Sequence, residues 1–440
     1  MPTAIEFFKY LPKTNCGECG QPTCLAFAMQ LANQKASLDL CPYVDQDAKS
    51  RLEESSAPPI RGVTVGSGEK AVRMGEETVL YRHERRFVNP IAYAVTFSDL
   101  MSADEMNSEI QRYQNMVFER VGMLFHLDIF ALSDDSHDPE RFKEAAERLA
   151  STGMPLVLMS SDAELLRPVA ELLRERRPLI YAANSINYER MFALARDTSL
   201  PLALLADDLE EMADLTEKAR SFGLEDLVLD LGSSNMKNIL ERNTIARKVS
   251  LRRMFKGLGY PLMNRVGSGE AAVMKAMLAT MKYGSLVIFD SLEAQQALPL
   301  MTLRQNIYTD PQVPIQVKED LYHINGPTED SPILFTTNFS LTYFTVRADL
   351  EKSRYPVWLQ VVDTEGLSVL TAYAAGKFSH ERVAAALEKS GALQKSSGPV
   401  VTPGMVAKMS GKLEDLVGRK VIVGPVESSG LPKFLKNLKE

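Results

Sequence analysis

The chain has 440 residues, 45% of them hydrophobic and 24% charged, with a formal net charge of -7 at pH 7. This composition is typical of a globular protein of two to four domains, and the negative charge argues against a nucleic-acid partner, which requires a basic surface. No apolar run is long enough to cross a bilayer, and no basic stretch precedes an apolar one at the N-terminus. We therefore expect a cytoplasmic protein with no membrane partner.

The only four cysteines lie in the first tenth of the chain. They are Cys16, Cys19, Cys24 and Cys41, in the spacing C-x2-C-x4-C-x16-C. Four cysteines gathered in this way, with none elsewhere, indicate a metal centre rather than a hydrophobic core. Gly17 and Gly20 leave room for backbone N–H groups beside the thiolates. A helix predicted to open with Pro22-Thr23 and to run to about Ser37 places Cys24 at its positive end. We predict a small [4Fe–4S] module over residues 1–57.

Two other interpretations of the four cysteines stay open. A structural zinc site also uses four thiolates, but it more often pairs two C-x2-C hairpins. Two disulfides would suit a small secreted domain, and no signal peptide precedes this motif. We favour the iron–sulfur cluster because the uneven spacing wraps a cubane more naturally than a single tetrahedral ion.

Residues 58–88 are predicted to connect the cluster module to the next domain. An acidic tract over residues 45–54 ends the module, and Pro58-Pro59 extends the backbone and breaks any helix, as expected of a joint that lets the module move. Two short β-type runs, Gly62–Val65 and Thr78–Tyr81, are separated by a glycine-rich turn. They predict a β-hairpin.

Residues 89–311 alternate short apolar runs with amphipathic helical stretches. The predicted strands are Ile91–Phe97, Leu127–Leu132, Leu156–Met159, Leu179–Ala182, Leu202–Leu205, Leu227–Asp230, Leu262–Asn264 and Leu286–Asp290. Helices are predicted over Asp104–Arg120, Pro139–Leu149, Ala163–Arg176 and Glu270–Met281, among others. Eight βα units over about 220 residues predict a TIM (β/α)8 barrel, and continuous apolar strands are typical of a parallel sheet buried on both faces. A doubly wound open sheet is the alternative.

Each predicted barrel strand has a polar side chain at its end or shortly after it. These residues are Asp99, Asp134, Asp162, Asn184, Asp207, Asp230, Asn264 and Asp290. Barrel enzymes place catalytic residues at such positions, but Asp and Asn are also preferred helix N-caps, and we predict capping. Since no catalytic triad or H-E-x-x-H motif is present, no catalytic residue is predicted, and whether the chain is itself an enzyme stays open.

After a linker predicted over residues 312–331, residues 332–440 again alternate strands and helices. The predicted strands are Ile333–Phe335, Trp358–Val362, Val400–Val401 and Val421–Val423. Each is followed by a loop rich in Ser, Thr or Gly, and the loops should meet at the carboxyl ends of a small Rossmann-like α/β sheet, where open α/β folds bind ligands. Their N–H groups and hydroxyls suit a ligand rich in amides and phosphate.

The stretch K-x-N-C-G-E-C-G-x-P-T-C-L-A-F-A, which begins at Lys13 and is followed by Cys41-Pro42-Tyr43, resembles the large-subunit family of corrinoid iron–sulfur proteins. The likeness extends over the whole chain. It implies a methyl carrier of the reductive acetyl-CoA pathway. Cobalt(I) would accept a methyl group from methyltetrahydrofolate or a related methyl-pterin with the help of a methyltransferase, and would donate it to acetyl-CoA synthase/CO dehydrogenase. The [4Fe–4S] cluster would reduce cobalt(II) when an electron is lost.

The resemblance further implies a small partner subunit in a heterodimer, a low-potential electron donor, and a set of corrinoid contacts in the C-terminal domain. The contacts are Asn338, Thr342 and Thr345 along one wall, Ser368, Val369, Leu370, Thr371, Ala372 and Tyr373 at the start of a helix, and Gly404, Met405, Ser428, Ser429 and Gly430 near the corrin side chains or nucleotide loop. These residue assignments depend on the resemblance alone.

A histidine ligand for cobalt is not expected. Many cobalamin proteins supply one through D-x-H-x-x-G, whereas here Asp320 precedes His323 by one residue too many, and the string lies in the predicted linker. We interpret His323 as a loop histidine and expect a base-off corrinoid without a protein histidine ligand, which makes cobalt easier to reduce. Two other functions stay open: an iron–sulfur electron-transfer or redox-sensing protein with a scaffold barrel, and a barrel methyltransferase that binds pterin itself through Asp99, Asn184 or Asp230.

Overall fold

A computed structural model describes residues 4–32, 36–45, 58–232 and 235–439 of the chain. These residues form two compact units, one from the described residues up to 116 and from 126 to 308, and the other from residues 117–125 and the described residues from 309 onward. The predicted acidic tract over residues 45–54 lies outside the described residues, apart from Asp45.

The N-terminal part of the first unit is a small helical module. Helix α1 spans Ala4–Tyr10, α2 spans Cys24–Ala32, and a 3-10 turn covers Leu38–Leu40. Phe7, Phe27 and Leu31 are buried between these elements, together with Cys24 and Cys41. The module therefore builds its own small hydrophobic core around two of the four cysteines.

A β-hairpin follows, formed by β1 (Val63–Val65) and β2 (Val72–Met74) in antiparallel pairing. The prediction of a second strand at Thr78–Tyr81 is wrong, because the chain reverses through a 3-10 turn over Gly68–Lys70 and the returning strand is Val72–Met74. Val63, Val65 and Met74 of the hairpin pack into the interior core of the barrel. The N–H of Gly66 donates to the carbonyl of Arg177, which precedes a barrel strand. The hairpin thus closes the amino-terminal end of the barrel.

Eight parallel strands form the closed barrel of the first unit. They are β3 (Ala92–Ser98), β6 (Ile129–Ser133), β7 (Leu156–Met159), β8 (Leu179–Ala183), β9 (Leu202–Leu205), β10 (Leu227–Asp230), β11 (Leu262–Gly267) and β12 (Gly284–Phe289). The order β10-β11-β12-β3-β6-β7-β8-β9 closes on itself and confirms the predicted TIM barrel. Small and branched side chains such as Ala94, Ala131, Val157 and Ile288 fill its interior.

The barrel helices follow their strands in sequence. They are α3 (Ala103–Gln114), α4 (Pro139–Ser151), α5 (Ala163–Leu172), α6 (Tyr188–Thr198), α7 (Leu209–Ser221), α8 (Met236–Arg253), α9 (Gly269–Met281) and α10 (Ala294–Tyr308). Two predicted helices are too long. The helix expected to reach Arg120 ends at Gln114 because the next residues form a strand pair, and the helix expected to reach Arg176 ends at Leu172 and continues as a 3-10 turn.

The second unit contains a hairpin, β4 (Phe118–Arg120) with β5 (Met123–Phe125), and a five-stranded sheet. The sheet strands are β13 (Leu321–Ile324), β14 (Ile333–Thr337), β15 (Val357–Val362), β16 (Val400–Thr402) and β17 (Val421–Val423). The helices are α11 (Ser340–Ser353), α12 (Val369–Ala374), α13 (His380–Lys389), α14 (Ala392–Lys395), α15 (Ser410–Val417) and α16 (Leu431–Lys439). The sheet order is β13-β15-β14-β16-β17, in which β13 pairs antiparallel with β15 and the other described neighbours in this sheet are parallel.

Separate hydrophobic clusters cover the two faces of this sheet. One cluster contains Phe378, Leu387 and Leu413 from the segments around α13 and α15, and the other contains Tyr343 and Leu435 from α11 and α16. The α/β sheet predicted for the C-terminal part is therefore confirmed. The prediction that residues 312–331 only connect domains is wrong, since β13 lies within them and pairs with β15.

Candidate functional site

The first cysteine loop is shaped by two glycines and a helix cap. Gly17 and Gly20 have φ angles of 80° and 75°, the left-handed region that favours glycine, and the N–H of Gly20 donates to the carbonyl of Gly17 at 2.9 Å. Helix α2 begins at Cys24, just after the predicted opening at Pro22-Thr23, with the Thr23 hydroxyl accepting from the N–H of Ala26 at 3.0 Å. The predicted end near Ser37 is wrong, since Ser37 is the N-cap of the following 3-10 turn. The side-chain oxygen of Asn15 accepts from the N–H of Cys24 at 2.8 Å. These bonds fix the backbone on both sides of the loop.

The second cysteine loop is tied to the first by a side-chain hydrogen bond. The hydroxyl of Tyr43 donates to Oε1 of Glu18 at 2.9 Å, which joins the segment after Cys41 to the residue between Cys16 and Cys19. Cys24 and Cys41 are buried, Cys19 is half-buried and Cys16 is exposed. The two cysteine loops are therefore neighbours in the module, and Cys24 and Cys41 belong to the same small core, with Cys19 packed against it.

The four thiols suit a metal cluster in their chemistry, although they are not drawn together in coordinating positions. All four cysteines are free, so neither disulfide is formed. Within residues 4–32, 36–45, 58–232 and 235–439, no three His, Cys, Asp or Glu side chains are arranged to hold a metal ion. No atom outside the local backbone lies within 4 Å of a Cβ built at Gly17 or Gly20, so the loop has space to close around a cluster. Four thiolates in such a loop are the usual donor set for iron–sulfur clusters.

A cavity of about 460 Å³ opens at the carboxyl ends of β14, β16 and β17 in the second unit. Its volume lies in the range of small-molecule and cofactor sites. The chain leaves β14 toward β15 on one side and returns to β16 on the other, so the cavity lies at the point where the strand order reverses. Open α/β sheets bind their ligands at this point.

Half of the predicted corrinoid contacts line this cavity. They are Thr342, Thr345, Ser368, Val369, Leu370, Met405 and Ser428. The lining also includes Leu334, Val401 and Pro425, which make the cavity largely apolar. The structure therefore brings together residues from four separate stretches of the C-terminal sequence, each of which follows a different strand.

The other predicted contacts lie outside the lining. They are Asn338, Thr371, Ala372, Tyr373, Gly404, Ser429 and Gly430. Asn338 is buried and joins two loops, because its oxygen accepts from the N–H groups of Thr364 and Gly366 and its amide donates to Asp363. Gly404 lets two loops touch, since a Cβ there would lie 2.7 Å from the carbonyl oxygen of Gly424.

Two residues that the sequence analysis did not select stand out in the cavity lining. Thr336 at the end of β14 and Thr402 at the end of β16 are 2% and 0% exposed, and neither hydroxyl has a hydrogen-bond partner. The neighbouring hydroxyls of Thr337 and Ser340 are also buried without a partner. A buried unpaired hydroxyl is unfavourable by about 1–3 kcal/mol, so four at one sheet edge indicate a missing partner. The signal in the sequence was a hydroxyl directly after a buried strand.

No histidine of the described residues lines the cavity. His323 is on the edge strand β13, paired opposite Trp358, with the two ring centroids 4.6 Å apart. The interpretation of His323 as a loop histidine is therefore wrong about its secondary structure. The strand holding it is separated from β14 by β15.

The polar residues at the barrel strand ends cap helices less often than predicted. Among the described helices, Asp162 is the only one of the eight to act as N-cap, accepting from the N–H of Glu164 at 2.9 Å. Asp99 instead accepts from the N–H groups of Asp135 and Ser136, which belong to the next strand's loop. The capping prediction is wrong for the other strand-end residues, because residues further along the chain are the N-caps of the described helices. The residues concerned are Asp99, Asp134, Asn184, Asp207, Asp230, Asn264 and Asp290.

Asp230 is the most buried carboxyl group among these strand-end residues. It is 2% exposed and accepts from the hydroxyl of Tyr181 at 3.0 Å and from the N–H of Gly232 at 3.0 Å. Burial raises the pKa of Asp230 from 3.8 to about 6. Because both partners are supplied by the barrel itself, this carboxyl is satisfied without a ligand.

A family model described as "CO dehydrogenase/acetyl-CoA synthase delta subunit" matches residues 62–435, most of the chain. The chain belongs to this family. A second model, described as "Putative Fe-S cluster", matches residues 11–43, the segment that contains all four cysteines.

Relatives of similar length align with this chain over nearly all of both sequences. The corrinoid/iron-sulfur protein large subunit of Moorella thermoacetica is 44% identical, over 99% of this chain and 98% of its own. The acetyl-CoA decarbonylase/synthase complex subunits gamma of Methanothermobacter thermautotrophicus and Archaeoglobus fulgidus are 36% and 35% identical, covering 99% and 98% of this chain and 99% and 97% of their own.

Among solved structures, dihydropteroate synthase from Thermus thermophilus is 14% identical with a TM-score of 0.39, covering 54% of this chain and 98% of its own. The Yersinia pestis enzyme is 17% identical with a TM-score of 0.35, covering 49% of this chain and 92% of its own.

Across the part of the chain that the structure describes, every helix is too short or too polar to span a membrane.

Proposed function

We propose that this chain is the large subunit of a corrinoid/iron–sulfur methyl carrier in the acetyl-CoA synthase/CO dehydrogenase system. The observation that carries the proposal is the C-terminal cavity, which is apolar at its sides and has unpartnered hydroxyls of Thr336 and Thr402 at its strand ends. A macrocycle with apolar faces and an amide- and phosphate-bearing periphery matches that combination. The names of the relatives and the cysteine motif point to the same function.

In this proposal, the cysteine module and the C-terminal cavity each hold one cofactor with a different role. When bound, the corrinoid supplies a nucleophilic cobalt(I) centre that takes a methyl group from a methyl-pterin for acetyl-CoA synthase, and a [4Fe–4S] cluster supplies the electrons that keep cobalt reduced. Residues Cys16, Cys19, Cys24 and Cys41 would hold the cluster, and the cavity residues would hold the corrinoid. The chain itself contributes binding, orientation and exclusion of water.

The cavity walls are suited to covering an apolar ring. Leu341, Leu370 and Val426 line the cavity and yet are 54%, 54% and 62% exposed. Large apolar side chains grouped at a cavity mouth are usually covered by a ligand or a partner protein. We therefore propose that the corrinoid and a small partner subunit cover this mouth in a heterodimer.

The polar groups around the cavity are arranged to orient the ligand's edge. The hydroxyl of Ser428 donates to Oδ2 of Asp349 at 2.7 Å, which fixes the loop after β17 to α11. Thr336 and Thr402 keep their hydroxyl hydrogens free for an acceptor on the ligand. Since no histidine of the described residues lines the cavity, we propose a base-off corrinoid without a protein histidine ligand.

The proposal also includes the partner proteins of the chain, the segments that hold the cofactors and the movement of these segments. The partners would be a methyltransferase, acetyl-CoA synthase/CO dehydrogenase and a low-potential electron donor, all in the cytoplasm. The functional segments would be residues 1–57 for the cluster, the barrel within residues 89–308, and residues 309–440 with the hairpin over residues 117–125 for the corrinoid. The joint at Pro58-Pro59 would let the cluster module move, and the corrinoid domain would swing between partners.

The test is a metal and corrinoid analysis of the full chain, purified without oxygen together with its small subunit. We expect about four irons per chain, in line with a single cubane, together with one cobalt and a corrin absorption band. The variant Cys41→Ser should lose the iron and keep the cobalt. The matched variant Leu40→Ala, which changes an exposed neighbour, should keep both.

Three results would contradict the proposal in different ways. Zinc in place of iron, with no cobalt, would exclude both cofactors. Iron without any corrinoid would favour an electron-transfer or redox-sensing protein. Turnover of a methyl-pterin by the chain alone would favour a barrel methyltransferase.

A further inference from the structure

The hairpin β4–β5 is carried by the barrel sequence, between α3 and β6, yet it belongs to the second compact unit. Phe118 pairs with Phe125, and the turn consists of Val121 and Gly122 with φ angles of 51° and 70°. Two residues with positive φ are typical of the tight turn that joins such strands. A β-branched residue such as Val121 is rarely found in this region, so the surrounding structure must hold the turn in place.

Gly122 is in direct contact with helix α11. A Cβ built at Gly122 would lie 2.3 Å from Cζ and 2.7 Å from Cε2 of Phe344. Ordinary van der Waals contact begins at about 3.4 Å between carbon atoms, so the ring would have to move by about an ångström to admit a methyl group. Only glycine satisfies both the left-handed φ angle and the close approach of the ring.

Helix α11 separates this contact from the cavity. Thr342 and Thr345 on the helix line the cavity, whereas Phe344 points to the hairpin and also meets Tyr343 with ring centroids 5.0 Å apart. At about 100° per residue, Phe344 lies on a different side of the helix from Thr342 and Thr345. Because all three side chains belong to one helix, a displacement of Phe344 by the hairpin would shift the cavity wall as well.

The start of α11 has little support from its own sequence. Its N-cap residue is Phe339, which offers no side-chain acceptor, and the hydroxyl of Ser340 has no hydrogen-bond partner. The N–H of Ser340 donates to the carbonyl of Ile315 at 3.0 Å. Without a capping side chain, the position of the first turns depends on packing, and the Gly122–Phe344 contact lies within these turns.

We propose that the β4–β5 hairpin positions helix α11, and with it the wall of the corrinoid cavity, through the contact between Gly122 and Phe344. Gly122 is then a positioning residue for corrinoid binding. The inference rests on the proposed function, because it takes the cavity to be the corrinoid site. It assigns a ligand-positioning role to a segment more than two hundred residues before the cavity in the sequence.

The test compares the wild-type full chain with Gly122→Ala, Phe344→Ala, the double variant and Gly418→Ala. Gly418 has a φ angle of 62° and no atom within 4 Å of a built Cβ, so it reproduces the backbone strain without the collision. Hydroxocobalamin is titrated into each protein and followed by its visible absorption. Hydrogen exchange of residues 340–346 is measured on the same proteins without cobalamin.

We expect Gly122→Ala to raise the Kd for cobalamin by about tenfold and Gly418→Ala by less than about twofold. In the Phe344→Ala background, adding Gly122→Ala should change the Kd by less than about twofold, because the ring that collides is gone. Hydrogen exchange of residues 340–346 should be faster in Gly122→Ala than in wild type and should not rise further when Phe344→Ala is combined with it.

An identical Kd and exchange rate for Gly122→Ala and Gly418→Ala would overturn the inference. If Gly122→Ala does not fold, Phe344→Ala decides: it removes the anchor without a collision and should raise the Kd by about threefold, and an unchanged Kd with unchanged exchange would overturn the inference. Failure of the wild-type chain to bind cobalamin would count against the proposed function, while the exchange measurements would still test the positioning of α11.

Discussion

Replacing Thr402 by valine should have opposite effects on the stability of the ligand-free protein and on its affinity for the corrinoid. Valine has nearly the same shape as threonine and lacks the hydroxyl, which in Thr402 is fully buried and has no partner. An unpaired buried hydroxyl is unfavourable by about 1–3 kcal/mol, so Thr402→Val should stabilise the ligand-free protein by about 1 kcal/mol. For a unit of this size that corresponds to a rise in Tm of about 3 °C.

The same substitution should weaken ligand binding. If the hydroxyl of Thr402 pairs with the corrinoid, its loss removes a hydrogen bond with a net value of about 0.5–1.5 kcal/mol, which is about a two- to tenfold increase in Kd. The measurement is thermal unfolding with and without saturating hydroxocobalamin, following the transition that cobalamin shifts. Thr402→Val should raise the ligand-free Tm and reduce the shift that cobalamin causes.

A control variant at a buried threonine whose hydroxyl has a partner shows whether the effect of Thr402→Val comes from its unpaired hydroxyl or from any threonine-to-valine change. Thr216 is equally buried, but its hydroxyl donates to the carbonyl of Met212 at 2.8 Å. Thr216→Val therefore removes a hydrogen bond and should lower the Tm slightly or leave it unchanged. A lower ligand-free Tm for Thr402→Val, similar to that of Thr216→Val, would refute the reasoning, because it would mean that the Thr402 hydroxyl already has a partner.

Two further predictions concern buried charges in the barrel. Burial raises the pKa of Asp230 to about 6, so folding disfavours the ionised carboxylate. The free energy of unfolding should therefore fall as the pH rises from about 4 to about 6 and should not fall further for this reason above about pH 6. Asp230→Asn should therefore stabilise the barrel by about 1–3 kcal/mol at pH 7.5 and not at pH 3.5, and an equal gain at both pH values in thermal unfolding would contradict this. Glu77 and Arg247 form a buried pair at 3.9 Å, and Glu77→Gln alone should destabilise the barrel by about 3–5 kcal/mol by leaving the guanidinium unpaired. Glu77→Leu combined with Arg247→Met should lose much less, and an equal loss would show that the charge is not the cause.

The barrel was predictable because its signals are local. Runs such as Leu156–Met159 and Leu202–Leu205 are strands with the predicted bounds, since continuous apolar runs bounded by polar residues identify buried parallel strands. The hairpin β4–β5 and the edge strand β13 were not predicted. Both are short, and β13 is stabilised by pairing with Trp358 and its neighbours, more than thirty residues away in the sequence.

Among the site residues, those defined by local sequence were predictable, and those whose partners come from distant segments were not. The cysteine loops follow from spacing, and the start of α2 at Cys24 follows from Thr23. The role of Asp99 could not be deduced from its own surroundings, because its partners at Asp135 and Ser136 are brought to it by the barrel closure. Likewise, only the folded sheet edge shows that the Thr336 and Thr402 hydroxyls have no partner.

The interrupted path of the chain limits how the C-terminal unit can be exchanged between proteins. A fragment that starts at Thr309 lacks residues 117–125, which are part of the same compact unit. Such a fragment would expose the outer side of Phe344 to water and leave α11 without its cover. The C-terminal unit can be transferred to another protein as a complete module only together with residues 117–125, which follow the first helix of the barrel.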